Sequence, residues 1–369
     1  MNISNLQSLG WSHFYLQQLD AHAFEKLQSN EWFAFRISAI HRSIIKGVGH
    51  QWDDGEVELL CPDRFKPISE HLCVGDWVIA EQVNEHYRIV DVLEAKNQLE
   101  RFSNQKRQMI AANIDYLFIV TSANRDFNMK RLERYLAMAY ESSIEPVIVL
   151  NKIDLTEDPE VYLDEICTLK AHNVIGVSMR QPDTLLAFNH FLYAGTTIAM
   201  VGSSGVGKSS LINALFHSTS TPNDVNQAVI QDVGGIREDD DKGKHTTTSR
   251  QLIINEQSVL FIDTPGIREL KLLSAQDGIE EVFSDIVQLG LRCKFTDCTH
   301  QTEPGCQILR ALEVGELSIS HWENYQKLLK EDAFNERSAQ GAYAQRQHMK
   351  SFSKQILRTQ SKNREAKGK

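Results

Sequence analysis

The chain is 369 residues long, with 41% hydrophobic residues, 24% charged residues and a formal net charge of -10. This length exceeds what one hydrophobic core usually organises, so two or three domains are expected, and the composition excludes a disordered or fibrous chain. The acidic balance argues against a surface built uniformly for nucleic acid, and the longest apolar runs, such as Tyr116 to Val120 and Val147 to Leu150, are strand-sized, far below the ~20 residues that span a bilayer.

The amino terminus, Met1 to Phe14, has neither a basic start nor a continuous apolar stretch, so it does not read as a secretory signal. A cytoplasmic protein with no membrane partner, a monomer, is expected. Helical patterning covers residues 1 to about 30. From Trp32 to about Glu94 short alternating runs follow, among them Phe33 to Ile37, Glu56 to Leu60, Asp76 to Ala80 and Tyr87 to Val92, broken by Gly and Asp turns. Five short strands over about residues 32–97 suit an all-β Greek-key barrel of the OB type, a shape used for RNA and single strands. The stretch is not basic, so a barrel that only packs against its neighbour fits nearly as well.

A polar, basic connector, Arg101 to Gln108, leads into alternating strand and helix. Strands are predicted at Tyr116 to Thr121, Pro146 to Asn151, Val174 to Ser178 and Thr197 to Gly202, with helices at Lys130 to Glu141, Asp158 to Leu169 and Asp183 to His190. Such alternation implies a parallel sheet with helices on both faces. Two more strands, Gln251 to Asn255 and Val259 to Asp263, are close enough to pair directly. The expected division is residues 1–105 for the amino-terminal segment and barrel, 106–282 for an α/β nucleotide domain, and 283–369 for a metal-binding helical module with a basic tail.

The chemistry follows the same order. Asn151-Lys152-Ile153-Asp154 ends a predicted strand, where open α/β sheets bind ligands. The Asp154 carboxylate can accept hydrogen bonds from N1–H and the 2-amino group of guanine. Adenine offers neither donor and would leave the carboxylate unpaired. Lys152 would lie along the base, and Asn151 would tie this loop to the phosphate site. Ser178-Met179, at the end of the next strand, fits the short loop that meets the guanine O6 through backbone N–H.

Gly202-Ser203-Ser204-Gly205-Val206-Gly207-Lys208-Ser209 fits the phosphate-binding pattern G-x-x-x-x-G-K-[ST], and Ser210 begins the helix after it. The glycines let backbone N–H groups close around phosphates, Lys208 reaches the β and γ phosphates, and the Ser209 hydroxyl is placed to ligate magnesium. Beyond the acidic run Val233 to Asp241 lies Gly243-Lys244-His245-Thr246-Thr247-Thr248, in which Thr247 is favoured over Thr246 to complete the magnesium shell. Asp263-Thr264-Pro265-Gly266 fits the D-x-x-G switch, with Asp263 holding magnesium through water and the Gly266 N–H sensing the γ phosphate. These are the parts of a GTP hydrolase, but the base-reading loops precede the phosphate loop. A circular permutation keeps the same sheet when the original termini lie close together, and it tethers the carboxyl-terminal region directly to the Asp263 switch.

Cys293-x4-Cys298-x-His300-x5-Cys306 supplies three thiolates and an imidazole, enough to close a tetrahedral structural zinc shell. Cys61, Cys73 and Cys167 are scattered and read as buried thiols. From Gln345 to Lys369 eight basic residues face one acidic residue, a net charge of +7 that suits either an RNA-binding arm or a solvated terminus.

Ile110 to Asp115, Asn151 to Asp154, Gly202 to Ser210, His245 to Thr248, Asp263 to Gly266 and Cys293 to Cys306 together resemble the circularly permuted RsgA (YjeQ) GTPases of small ribosomal subunit biogenesis. The resemblance covers most of the chain. It implies an OB-fold, a permuted GTPase domain and a zinc module, binding to the 30S subunit and its 16S rRNA, and hydrolysis of GTP to GDP and phosphate that is stimulated by 30S and coupled to release. The acidic run Glu238 to Asp241 departs from the more basic segment of similar proteins. Ile267 follows D-x-x-G, so the side chain that orients water in Ras-like enzymes is missing and slow intrinsic hydrolysis is expected, with His245 the candidate to approach the water once RNA orders the switch. Gly205 stands where potassium-activated GTPases carry Asn, so potassium dependence by that route is not expected. A GTP-ordered binding module with little turnover and a GTPase with a non-ribosomal partner are the competing readings.

Overall fold

The computed structural model describes residues 6–41, 44–49, 55–62, 72–103, 106–169, 171–217, 250–263 and 275–338. Its first unit is a closed five-stranded barrel of β1 (Trp32–His41), β2 (Ile44–Gly49), β3 (Val57–Leu60), β4 (Trp77–Val83) and β5 (His86–Val92). Neighbours run β1-β2-β3-β5-β4 and back to β1, antiparallel except for β3 against β5. This is the connectivity of the expected OB-type barrel. Phe35, Ile37, Ile45, Leu59, Val78, Ala80 and Ile89 fill its interior. Trp77 and Ile79 of the same β4 turn outward into the main core with Ala34 of β1. Both faces of these strands are therefore buried, which is why β4 begins as a continuous apolar run.

Arg36 fastens the barrel to its surroundings. It is completely buried, and its guanidinium donates to the carbonyls of Gly75 (3.1 Å), Leu9 (2.6 Å) and Asn113 (2.8 Å). One cation thus ties the amino-terminal segment, the barrel and the entry to the α/β unit. The segment around Asn113 is stitched further: Asn113 Nδ2 donates to Gly75 O at 2.9 Å, and Asn97 bonds both the N–H and the C=O of Ile114. Arg36→Met keeps the volume but takes the guanidinium donor from the buried carbonyls of Leu9 and Asn113, while Gly75 O keeps Asn113 Nδ2. Urea unfolding should show a stability loss of about 2 kcal/mol or more, since each orphaned acceptor costs roughly 1–3 kcal/mol. An unchanged midpoint would remove Arg36 from this role.

The span read as a connector at Arg101 to Gln108 is instead a β-hairpin, β6 (Gln98–Ser103) with β7 (Lys106–Ala112). Its polar residues face each other across the pair, as in Arg101 Nε to Gln108 Oε1 at 2.8 Å, while Leu99, Ile110 and Ala111 bury its base. The β2 strand was not singled out in the sequence, because Lys46, Gly47 and Gly49 interrupt its apolar alternation.

The α/β unit places β8 (Tyr116–Ser122), β9 (Glu145–Asn151), β10 (Asn173–Val177), β11 (Thr197–Val201), β12 (Gln251–Ile254) and β13 (Leu260–Asp263) in the order β10-β9-β8-β11-β13-β12. All neighbours are parallel except the β12–β13 pair, which is the expected direct pairing. Residue Ala39 of β1 pairs with Gln251 of β12, so barrel and parallel sheet form one continuous sheet. Alternate residues of β8, β9 and β11 serve opposite faces: Phe118, Val120, Val147, Val149, Ile198 and Met200 pack under the helix Lys208–His217 and the 3-10 segment Pro182–His190. Leu117, Ile119, Ile148, Leu150, Ala199 and Val201 pack on the other side, toward the helix Met129–Glu141. The helix predicted over Asp158 to Leu169 is the shorter Glu160–Cys167, and Cys167 at its end is exposed rather than buried.

Of the carboxyl-terminal helices, Gln276–Val282 and helix 319–338 lie against Met129–Glu141, and Gln307–Glu313 packs on Ser284–Leu291. Gly278 permits the contact: a Cβ there would sit 1.9 Å from Ala137 O. Polar contacts fix the dock, with Arg134 paired to both carboxylate oxygens of Glu331 (2.6 and 2.7 Å) and the Ala275 N–H on Asp332 at 3.1 Å. His321 bonds the buried Glu133 at 2.5 Å and Asp285 at 3.4 Å. Burial opposes its charge, but the hydrogen bonds and charges of Asp285 and Glu133 prevail and raise its pKa to about 9. No helix among the described residues is long and apolar enough to cross a membrane.

Candidate nucleotide site and metal centre

The candidate nucleotide site lies at the carboxyl ends of the parallel strands β9, β10 and β11, where the Asn151, Ser178 and Gly202 segments leave the sheet. Strand β11 ends at Val201, Gly202 to Gly207 form the loop, and the helix begins at Lys208. Lys208 Nζ donates to the carbonyls of Gly202 (2.9 Å) and Ser203 (2.7 Å), which holds the ammonium over the loop. Val206 is fully buried in the sheet core and anchors the loop, leaving Ser204, Gly205, Ser209 and Ser210 at the surface.

The Asn151 loop is seated directly on this phosphate loop. Asn151 is almost fully buried and its Nδ2 donates to Val206 O at 2.8 Å, while Lys152 Nζ donates to Gly205 O at 2.6 Å. Close approach requires glycine at 207, because a Cβ there would lie 2.4 Å from Asn151 Nδ2. Lys152 itself takes φ 60°, with its N–H on Asn151 Oδ1 at 2.8 Å. That left-handed residue turns the chain into the short segment Ile153–Leu155, which carries Asp154. Ser178 Oγ donates to Asp154 Oδ1 at 2.5 Å and orients the carboxylate. The Ser178 N–H is held by Thr184 Oγ1 at 3.0 Å, and Met179 packs against the adjoining core. Exposed Arg180 lies 3.5 Å from Asp154 Oδ2.

Sequence reasoning missed Thr184 and Arg180, which belong to no short motif. It also missed Asp126, whose carboxylate contacts Ser203 Oγ. Asp263 is the last residue of β13, beside β11, so its backbone reaches the phosphate-loop end of the sheet. His245, Thr247 and Gly266, together with the Gly243 to Thr248 and Thr264 to Ile267 segments and the basic tail, lie outside the described residues.

The four predicted metal ligands converge. One donor atom from each of Cys293, Cys298, His300 and Cys306 lies within 4.8 Å of all the others. Cys293 Sγ is 3.9 Å from Cys306 Sγ, and His300 Nδ1 is 3.6 and 3.4 Å from those two sulfurs. Zinc–sulfur bonds of about 2.3 Å in a tetrahedron demand edges of about 3.8 Å, so the donor set fits zinc and leaves no open position for catalysis. Backbone N–H groups of Gln307 (3.4 Å to Cys293 Sγ) and Leu309 (3.5 Å to Cys306 Sγ) point at the sulfurs, the outer support that thiolate ligands require. The His300 ring meets Trp322 edge-on at 5.9 Å, linking the loop to helix 319–338.

A parallel sheet that carries its Asn151 loop ahead of its phosphate loop, flanked by an OB-type barrel and a Cys3His cluster, defines the class of circularly permuted P-loop GTPases. Residues 92–273 match the family described as RsgA GTPase. The chain is 38% identical over 365 residues to the small ribosomal subunit biogenesis GTPase RsgA 2 of Vibrio parahaemolyticus, covering 98% of this chain and 95% of that protein. It is 40% identical over 336 residues to the small ribosomal subunit biogenesis GTPase RsgA of Mesorhizobium japonicum, covering 90% of this chain and 91% of that protein. The chain belongs to the RsgA GTPase family. The crystal structure of YjeQ from Thermotoga maritima shares the fold with a TM-score of 0.58 at 24% identity, covering 81% of this chain and 98% of that one. The crystal structure of YloQ, a circularly permuted GTPase, does so with a TM-score of 0.55 at 24% identity, covering 81% and 94%.

Proposed function

We propose that this chain hydrolyses GTP to GDP and phosphate during late maturation of the small ribosomal subunit, binding the 30S particle and its 16S rRNA and leaving on hydrolysis. The observation that carries the reading is the seat of the Asn151 loop on the phosphate loop, through Val206 O and Gly205 O, which joins a guanine-type reader to a phosphate cradle. Family membership supplies the ribosomal partner. Asp154 reads the guanine edge, Ser178, whose own N–H is held by Thr184, orients that carboxylate while Met179 presents its backbone N–H toward O6, and Lys152 covers the base. Gly202 to Ser210 hold the phosphates, with Lys208 toward the β and γ groups. Ser209 and Thr247 would hold magnesium, with Asp263 reaching it through water, and the ion would supply charge neutralisation to the phosphates. Gly266 senses the γ phosphate and His245 approaches the attacking water. Ile267 offers no side chain for that task, so turnover is slow until 30S orders the switch.

The division into 1–105, 106–282 and 283–369 puts the barrel on one flank and the zinc module on the other of a cytoplasmic monomer. Phosphate release from GTP and from ATP, measured with and without purified 30S subunits, tests the reading. GTP-only turnover that rises with 30S is the expected result. GTP turnover indifferent to 30S points to a non-ribosomal partner, and GTP binding without turnover points to a GTP-ordered binding module.

A further inference from the structure

Asp126 stands in the turn between β8 and the helix Met129–Glu141, beside the phosphate loop. Its carboxylate contacts the hydroxyl of Ser203, the second residue of that loop. Both carboxylate oxygens lie 3.2 Å from Arg131 Nη1, and Arg131 Nη2 donates to the Asp126 carbonyl at 3.1 Å. The Asp126 N–H is held by Asn124 Oδ1 at 2.9 Å, and Asn128 caps the helix by accepting the Arg131 N–H at 3.0 Å. Asp126 is therefore fixed by side chain and backbone before it meets Ser203.

Ser203 has two handles. Its hydroxyl goes outward to Asp126, and its carbonyl accepts Lys208 Nζ at 2.7 Å. Fixing the hydroxyl fixes the residue, and with it the orientation of an acceptor that directs the lysine. A lysine on a flexible four-carbon stem loses rotamer freedom when it grips a phosphate, and an acceptor already in place reduces that loss. Arg131 offsets the negative charge of Asp126, which lets a carboxylate stand beside an anion site.

We propose that Asp126 is a positioning residue for the phosphate-binding lysine, acting through Ser203 on Lys208. The inference rests on the reading of Gly202 to Ser209 as the phosphate site. Lys208 addresses the β and γ phosphates, so the role has a chemical signature: it is felt by GDP and GTP and not by GMP. A loss of general loop integrity would weaken all three.

The experiment measures affinities of the full chain for GMP, GDP and GTP by competition against a fluorescent guanine nucleotide, for the parent, Asp126→Ala, Ser203→Ala and the double variant. Asp126→Ala is expected to weaken GDP and GTP about tenfold, the equivalent of 1.4 kcal/mol, with GMP within about twofold of the parent. Ser203→Ala should match it, and the double variant should be no worse than either, because the two residues act in series. Unchanged GDP affinity, or a parallel fall for GMP, would overturn the proposal while leaving the GTPase reading intact. A parent chain that bound no guanine nucleotide would sink both.

Discussion

Asp154→Asn is expected to weaken GDP and GTP binding by roughly three orders of magnitude and to create affinity for the xanthine nucleotides. The carboxylate, carried on the Asn151 loop and oriented by Ser178 Oγ, can accept from both guanine N1–H and the 2-amino group. Two charge-assisted hydrogen bonds are each worth about 1.5–3 kcal/mol, so losing them spans roughly two to four decades of affinity. Asparagine keeps the shape and an acceptor for Ser178 Oγ, which now bonds Asp154 at 2.5 Å, but it turns an N–H toward the donors of guanine. Xanthine carries a carbonyl at C2 and accepts that N–H. Arg180 does not rescue guanine binding, because its pair with Asp154 is long at 3.5 Å and solvent-exposed and contributes little. Competition titration with GDP and XDP gives the answer directly; GDP affinity within threefold of the parent would remove Asp154 from base recognition.

Local chemistry decided what could be read in advance. The phosphate loop and the Asn151 tetrad were legible because each is continuous in sequence and each residue type has a separate task. The parallel strands were legible because burial on both faces gives β8, β9 and β11 a continuous apolar run of four or more residues. Where function depends on residues distant in sequence, the signal vanished. Asp126 meets Ser203 across 77 positions, and Arg36 meets Asn113 across the same span. Nothing in the neighbourhood of either residue announces its partner. The β6–β7 hairpin was hidden for a different reason: its polar residues pair across the strands near the turn, so the stretch has the composition of a linker although its base is core. The cysteine spacing picked out the four residues that converge but not what they brace. Only the structure shows that His300 leans on Trp322 and that helix 319–338 is bolted to Met129–Glu141 through Arg134 and Glu331.

Zinc removal should have the second large effect, and it should be local. A structural zinc in a closed thiolate–imidazole shell contributes on the order of 10 kcal/mol to the segment it organises, more than the few polar contacts within residues 292–306 supply. The rest of the carboxyl-terminal region has independent support: Phe283, Ile279 and Ile286 are buried in the main core, and Glu133, Arg134 and Glu141 bind it from the GTPase side. Elemental analysis is expected to find one zinc per chain, and Cys306→Ser to abolish it. Chelation should then unfold the ligand loop while the parallel sheet persists, splitting thermal unfolding into two transitions. Trp322 reports the first, because His300 packs against its ring, and comparison with Trp322→Phe isolates its fluorescence from that of the other tryptophans. GDP affinity should stay within about twofold throughout, since among the described residues no bond joins those assigned to the nucleotide to the metal ligands. A single cooperative transition with simultaneous loss of nucleotide binding would instead mean that the metal loop and the GTPase domain fold as one unit, and that the ties from Met129–Glu141 do not hold the module without its metal.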